Sequence, residues 1–363
     1  MAKDPVIGWD VGGAHLKAAA VDPPGRVAAV LQLPCPLWQG MEHLERAMSE
    51  ALGRLGPASR HALTMTGEMA DLFPSRPEGV RRLIAAAVSW LPGAELLVFA
   101  GRAGLLAPEQ ALVRWESVAS ANWLASAAFA AARVDQGLFV DVGSTTTDIV
   151  PVAGGEVHAL GVSDHARLVH DELVYTGVVR TPVMAVAASV PFGGERQGLM
   201  AELFATMADV HRLNGSLPEG VDDYPAADGG GKSVEDSTRR LARMLGRDSD
   251  SAGLDAWRRL AAHLADCQTE RIAAACARAL SRGVLDAGAP LIGAGCGRFL
   301  VRDLARRLGC DYVDFAEFID AAPEAAGLAA TCAPAVAVAS LAAKFGARNG
   351  DADARRGAAG KLA

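Results

Sequence analysis

Short apolar runs separated by tight polar turns open the chain. Residues 6–11, 17–21 and 27–33 predict three consecutive strands, with Pro23, Pro24 and Gly25 marking the second turn. Leu44, Ala47, Met48, Ala51, Leu52 and Leu55 fall at helical spacing and predict a helix over 41–55. A strand over 62–66, a helix over 81–91, a strand over 96–100 and an alanine-rich helix over 117–132 follow. This alternation predicts an α/β layer closing near residue 133. The pattern then restarts, with strands at 138–142 and 149–152 and a further one over 156–160. Between 192 and 233 glycine-rich turns predict a looped insertion around a helix near 200–211. Ser233, with Asp236 three residues on, predicts a capped helix start. A long helix over 254–282, a strand over 291–297, a helix over 298–308, a strand over 311–315 and an apolar helix over 334–345 complete the pattern. The expected organisation is a first lobe at 1–133, a second at 134–330, a C-terminal helix at 331–346 returning to the first lobe, and a flexible tail at 347–363.

Two of the predicted turns repeat. Asp10-Val11-Gly12-Gly13 aligns with Asp141-Val142-Gly143-Ser144, and Thr145, Thr146 and Thr147 extend the second copy. Seven residues after each aspartate stands a charged residue, Lys17 in one copy and Asp148 in the other. A separation of 131 residues suits a duplicated domain and is too long for a solenoid repeat. Glycine lets an oxyanion approach a turn whose backbone N–H groups converge. The aspartates repel a bare phosphate, so they argue for an intervening hard cation, most simply Mg²⁺.

Composition narrows the classes. A chain of 363 residues suggests about two domains, and 51% apolar with 21% charged residues is ordinary for a globular protein. The net charge of −7 disfavours nucleic acid as the main partner. Six scattered cysteines without a Cys-x-x-Cys pair indicate neither a zinc site nor a disulfide framework. No signal peptide or membrane-length apolar run is read. The expectation is a reduced, soluble, cytoplasmic protein with no membrane or nucleic-acid partner; its oligomeric state is open, a dimer among the forms.

Two hairpin loops with aspartates, followed by Gly293-Ala294-Gly295-Cys296-Gly297 before a helix, resemble the actin-like superfamily. The resemblance implies two ribonuclease H-like lobes of α/β type with an inter-lobe cleft, two loops gripping phosphates and Mg²⁺, and a third loop covering a nucleotide or substrate. A narrower resemblance rests on the stretches at 64–73, 120–125, 140–150, 174–182 and 228–243. These are similar to the hydantoinase/oxoprolinase-related group linked to tetrahydromethanopterin one-carbon metabolism, including methanofuran-biosynthesis ether synthases. That resemblance implies a transferase joining an aminomethyl-furan-methyl diphosphate to a phenolic γ-glutamyl-tyramine-type acceptor, with release of diphosphate. One departure matters. Many ATP-using relatives carry a hydroxyl after the first Asp-x-Gly-Gly, where this chain has Ala14. ATP is therefore an open question. An ATP-dependent kinase or hydantoinase-like enzyme, and a nucleotide-switched binding or filament protein, remain alternatives.

Within that frame Asp10 and Asp141 are candidate Mg²⁺ ligands, and Asp148 either joins them or orders its hairpin. Lys17 is the expected cation on the diphosphate or else an exposed strand lysine. Gly12, Gly13, Gly143, Ser144, Thr145 and Thr146 are expected to touch phosphate, with amides of Gly143 and Ser144 among the donors. Glu68, leaving a strand in Thr66-Gly67-Glu68, is a general base at a cleft mouth or a solvated helix-start acid. Arg180 offers phosphate a planar fork, or holds a surface ion pair. Lys232 ends a glycine run that is not a Walker loop but could act as a lid. Gly293, Gly295 and Gly297 form the nucleotide or substrate loop. Arg239 and Arg243 share a helix face that reads as solvated, and His158, His165 and His170 lack ligand spacing.

Overall fold

The computed structural model describes residues 4–344, and the expected tail at 347–363 lies outside them. The chain folds as two compact units. Among the described residues, one holds 4–133, Val162–Asp164 and 315–344; the other holds Val134–Gly161 and His165–Asp314.

In unit 1 a six-stranded sheet runs in the order β3-β2-β1-β4-β5-β6, with β1 Val6–Val11, β2 His15–Asp22, β3 Arg26–Pro34, β4 Arg60–Met65, β5 Glu95–Phe99 and β6 Leu105–Leu106. Strand β1 is antiparallel to β2 and parallel to β4, which is parallel to β5. Every β1 residue is buried, as a central strand covered on both faces must be. The helix Met41–Leu55 turns Leu44, Ala47, Met48 and Ala51 inward, the stripe its sequence predicts. A helix over Ala333–Lys344 crosses β1 so closely that a Cβ on Gly8 would stand 2.1 Å from the Ala335 carbonyl oxygen and 2.8 Å from Ala339 Cβ.

Unit 2 repeats the plan. Its sheet runs β10-β8-β7-β13-β14, with β7 Gln136–Val142, β8 Thr147–Ala153, β10 Leu173–Val174, β13 Leu291–Ala294 and β14 Tyr312–Asp314, while β9 Glu156–Val157 pairs beside β8. Again the hairpin's first strand is antiparallel to its second and parallel to a later one, here β13. Both Asp-x-Gly turns thus end the first strand of a hairpin.

Several boundaries differ from the sequence reading. Residues 315–330 belong to unit 1, because Val27 and Ala321 bridge and Phe315 packs on Phe129 at 5.4 Å between rings. The strand expected at 156–160 shrinks to two residues, and β10 takes the sheet position beyond β8. The helix expected at 81–91 starts at Arg76, with Pro77 accommodated in its first turn. The helix expected at 117–132 breaks into Trp115–Val118 and Asn122–Ala131, and Ser120 between them takes a left-handed φ of 51°.

The insertion is a folded core, not a loop. A hairpin of β11 Ser189–Phe192 and β12 Glu195–Gly198 packs with helices Met207–Leu213, Val234–Met244 and the start of Leu254–Leu280 around Phe192, Leu241, Trp257 and Leu264. The expected cap stands: the Asp236 amide donates to Ser233 Oγ at 3.1 Å, and Asp236 Oδ2 accepts from the Ser233 amide. Arg240 is the buried cation here, donating to Asp209, Asp228 and the Gly231 carbonyl, while Arg239 and Arg243 make exposed ion pairs. Among the described residues no single helix is long and apolar enough to cross a membrane.

The close crossing at Gly8 generates a stability prediction. In Gly8→Ala the new methyl meets the backbone of that helix at Ala335 and Ala339, so strand or helix must shift, which costs about 1–3 kcal/mol by overpacking. Urea denaturation should show a lower midpoint. An unchanged midpoint would mean that the C-terminal helix does not lie on β1.

Candidate functional site

In unit 1 the turn after Asp10 is closed by the Gly12 amide donating to the His15 carbonyl at 3.0 Å. The carbonyl of Gly13 accepts from Leu37 N and that of Ala14 from Cys35 N, which ties the loop to the end of β3. Asp10 is 2% exposed, stands level with Lys17 across the hairpin, and has its Oδ2 3.7 Å from Lys17 Nζ. Asn122 Nδ2 donates to Asp10 Oδ1 at 3.3 Å. Burying a carboxylate requires such partners. Thr64, level with Asp10 on β4, is fully buried and its hydroxyl has no hydrogen-bond partner.

Glu68 lies beside this turn but not at an accessible mouth, since its side chain is completely buried. Gly79 allows this: a Cβ there would stand 2.4 Å from the Glu68 carbonyl oxygen. Glu68 Oε1 accepts from Ser120 Oγ at 2.7 Å and Arg76 Nη2 at 3.1 Å, while Oε2 is buried and unpartnered. Burial pushes the carboxyl above its ordinary range, against the opposing pull of Ser120 and Arg76. Asp164 Oδ2 lies 3.1 Å from the same Ser120 hydroxyl and 3.3 Å from Arg76. One hydroxyl carries one proton and cannot serve both carboxylates. A proton on Glu68 Oε1 would reverse that bond, with Glu68 donating to Ser120 and Ser120 to Asp164, and would relieve the competition for the one hydroxyl proton. The left-handed conformation of Ser120 is what turns its side chain here.

In unit 2 the equivalent turn is closed by the Gly143 amide donating to the Thr146 carbonyl at 2.8 Å. The expected use of the Gly143 amide on phosphate is thereby corrected; Ser144, Thr145 and Thr146 supply the amides and hydroxyls the turn presents. Gly143 to Thr146 are half-buried, so a ligand can reach them. The turn is braced from two sides. On one, Val178 N donates to the Gly143 carbonyl, and Val179 N and Arg180 N both donate to that of Ser144. A Cβ on Gly177 would stand 2.4 Å from Thr145 N. On the other, the Gly297 amide donates to the Val142 carbonyl at 2.8 Å, and a Cβ on Gly295 would stand 2.3 Å from Asp141 Oδ1. Gly293 makes room for the Tyr312 ring. The third glycine loop therefore builds the wall behind Asp141.

Asp141 and Asp148 stand directly opposite across the hairpin, an unfavourable pairing of like charges. Arg167, 1% exposed, relieves it by donating to Asp148 Oδ1 at 2.8 Å. Asp148 thus has an arginine partner, as a hairpin-ordering residue would. Arg180 meets the turn through its amide, and its side chain is exposed. Lys232 is engaged by Asp222, with Nζ 2.5 Å from its carbonyl oxygen and 3.2 Å from Oδ1.

The second turn offers carboxylate and hydroxyl oxygens and the first the Asp10 carboxylate, hard oxygen groups that suit Mg²⁺. Among the described residues no three His, Cys, Asp or Glu side chains gather as a metal cage. Mg²⁺ fits such a setting, because it keeps several waters and takes one or two carboxylates. Sequence reasoning missed Arg76, Ser120, Asn122 and Arg167. Ser120 and Asn122 fall in the stretch at 120–125 that carries the family resemblance, whereas Arg76 and Arg167 carry no local signal.

The Glu68 arrangement has a pH signature. A folded-state carboxyl raised above its ordinary 4.5 contributes stability fully present below that value and lost as pH rises through the folded-state value. Glu68→Gln keeps the shape and lacks the titration. Denaturation at several pH values should therefore show the wild type losing stability relative to Glu68→Gln as pH rises above about 4.5. Parallel profiles would remove the protonated-acid assignment.

Residues 60–344 match the hydantoinase/oxoprolinase family. The chain is 33% identical over 248 residues to a Methanocaldococcus jannaschii protein named as the synthase of a phenoxymethyl-furanyl-methanamine carrying a γ-L-glutamylaminoethyl arm, covering 68% of this chain and 72% of that one. It is 29% identical over 130 residues to the synthase of the same name from Methanococcus vannielii, covering 36% of this chain and 58% of that one. Nucleotide-free acetone carboxylase shares the fold, with a TM-score of 0.61 at 13% identity over 93% of this chain and 70% of that one. The fold is the actin-like α/β type, and by the extent of these matches the chain belongs to the hydantoinase/oxoprolinase family.

Proposed function

We propose that this protein is a Mg²⁺-dependent transferase of methanofuran-type cofactor biosynthesis, joining an aminomethyl-furan-methyl diphosphate to the phenol of a γ-glutamyl-tyramine-type acceptor. The product class named for the M. jannaschii relative, an ether between a phenol and a furan-methyl carbon, supports the reaction type. The observation that carries the reading is the turn Gly143–Thr146, reachable and braced from both sides with Asp141 at its edge. Preorganised donors lower a barrier where charge accumulates, and here that charge is on the departing diphosphate.

In the reaction the phenol oxygen–methylene bond forms as the methylene–diphosphate bond breaks. Diphosphate leaves with the bonding pair, and the phenol proton passes to a base. Amides and hydroxyls of Ser144, Thr145 and Thr146 would hold diphosphate oxygens; Asp141 would hold Mg²⁺ at this turn and Asp10 at the first. When bound, Mg²⁺ screens the negative charge of the leaving group. Within unit 1, Lys17 would offer a cation to an anion at the first turn, although Asp10 already shares its charge. Electron donation from the furan oxygen eases departure and leaves carbocation character on the methylene. Glu68, buried and favoured in its neutral form, is better suited to fixing Ser120 than to taking the phenol proton. Ala14, 7% exposed, puts a methyl where many ATP users carry a hydroxyl, which favours a donor that arrives already bearing its diphosphate.

The reading predicts ether product, followed by mass, when purified protein is given furan-methyl diphosphate, γ-glutamyl-tyramine and Mg²⁺ without ATP. One diphosphate should be released per ether. Product only on adding ATP would promote the kinase-like alternative, and no product under either condition would remove the assignment. Asp141→Asn should stay folded by circular dichroism and lose about 10²–10³ in turnover, the scale of one lost electrostatic contact at a reacting group. Near-full activity would make Asp141 structural.

A further inference from the structure

Behind the second turn runs a continuous set of buried hydrogen bonds that no step above uses. It begins in the insertion, where His211 is fully buried. Its Nδ1 lies 3.0 Å from Ser216 Oγ and its Nε2 2.8 Å from Gln268 Oε1. Gln268, fully buried on the long helix Leu254–Leu280, donates through Nε2 to Thr176 Oγ1 at 2.9 Å and to the Gly177 carbonyl at 2.9 Å. The Thr176 carbonyl in turn accepts from Thr147 Oγ1 at 2.7 Å, at the foot of the turn itself. Gly177 to Arg180 is the segment whose close approach and amides brace Gly143 to Thr145.

The orientation of each group is fixed by counting donors. Gln268 has two N–H donors, and both have acceptors in the 176–177 segment, so its oxygen must face His211. That oxygen needs a proton on His211 Nε2, which leaves Nδ1 to accept from Ser216. Burial lowers the His211 pKa and so favours the neutral ring, while the Gln268 oxygen sets which nitrogen carries the proton. With His211 neutral this arrangement gives Gln268 and both imidazole nitrogens a partner, and a fully connected buried network of that kind is rigid.

We propose that Gln268, held in one orientation by His211, is a positioning residue for the anion-binding turn, fixing Thr176-Gly177 so that Val178, Val179 and Arg180 keep Gly143–Thr146 in ligand-receiving shape. The insertion thereby becomes part of the apparatus that shapes this turn. The ligand class, a diphosphate with Mg²⁺, rests on the function proposed above; the bracing does not.

The test uses the full chain with Gln268→Leu, and Thr176→Val as a milder variant that keeps the shape at the other end of the bond. Amide hydrogen exchange is read for peptides covering 143–147 and 176–180, with β1 and β4 as internal references. Exchange in both unit 2 segments should rise about tenfold in Gln268→Leu, since a lost buried bond commonly costs about one such factor, and less in Thr176→Val, while the references stay put. Unchanged exchange at 143–147 in both variants would overturn the proposal. So would a rise that spreads equally to β1 and β4, because that is general destabilisation. Inorganic diphosphate with Mg²⁺ is then titrated calorimetrically into wild type and variants. Weaker binding in step with the exchange supports both ideas. Faster exchange at 143–147 with no diphosphate binding even to wild type keeps the positioning role and removes the diphosphate reading. Unaltered diphosphate affinity despite faster exchange would overturn the claim that the brace sets ligand-receiving shape.

Discussion

Close backbone approach around the turn at Gly143–Thr146 is the constraint on which unit 2 depends. Gly177 presses on Thr145 N from one side, and Gly295 and Gly297 press on Asp141 and Val142 from the other. A Cβ at any of the three would overlap backbone or buried side chain, so two distant stretches of chain must carry glycine for the turn to keep its shape. Three amides, of Val178, Val179 and Arg180, then fasten the carbonyls of Gly143 and Ser144. With those carbonyls engaged, the turn is left presenting hydroxyls and amides. That is the polarity an anion requires.

The first hairpin uses the same plan with different partners. The glycine amide closes each turn on the carbonyl three residues on, but cross-strand to the aspartate stands Lys17 in one and Asp148 in the other. The consequence is electrostatic. Asp10 is buried and internally balanced by Lys17 and Asn122, whereas Asp141 is more open and its like-charged neighbour is drawn off by Arg167. Unit 1 adds a feature that unit 2 does not repeat at the equivalent place, an uncharged-leaning Glu68 tied to Ser120.

Much of this was legible in the sequence. The duplicated hairpins were, because strand-turn-strand with Asp-x-Gly fixes both topology and cross-strand register: Lys17 and Asp148 fall opposite their aspartates as their seven-residue spacing requires. The Met41–Leu55 stripe and the Ser233–Asp236 cap were legible from local periodicity and local bonding. The break at Ser120 was not. Its alanine-rich flanks read as one continuous helix, and a left-handed serine leaves no compositional mark. The insertion misled because its strands and helices are short, so its many glycines dominated the pattern and its core around Trp257 stayed hidden. Arg167 and Gln268 are invisible for a different reason. Each is a polar residue on a helix whose part at the turn comes from a partner far away in sequence, 19 residues in one case and about 90 in the other.

Whether the turn after Asp141 takes a diphosphate can be seen in a crystal structure of the chain grown with Mg²⁺ and inorganic diphosphate. Diphosphate oxygens are expected on the amides and hydroxyls of Ser144, Thr145 and Thr146, with Mg²⁺ between the anion and the Asp141 carboxylate. Diphosphate bound elsewhere, out of contact with this turn and Asp141, would rule out the proposed role of the turn.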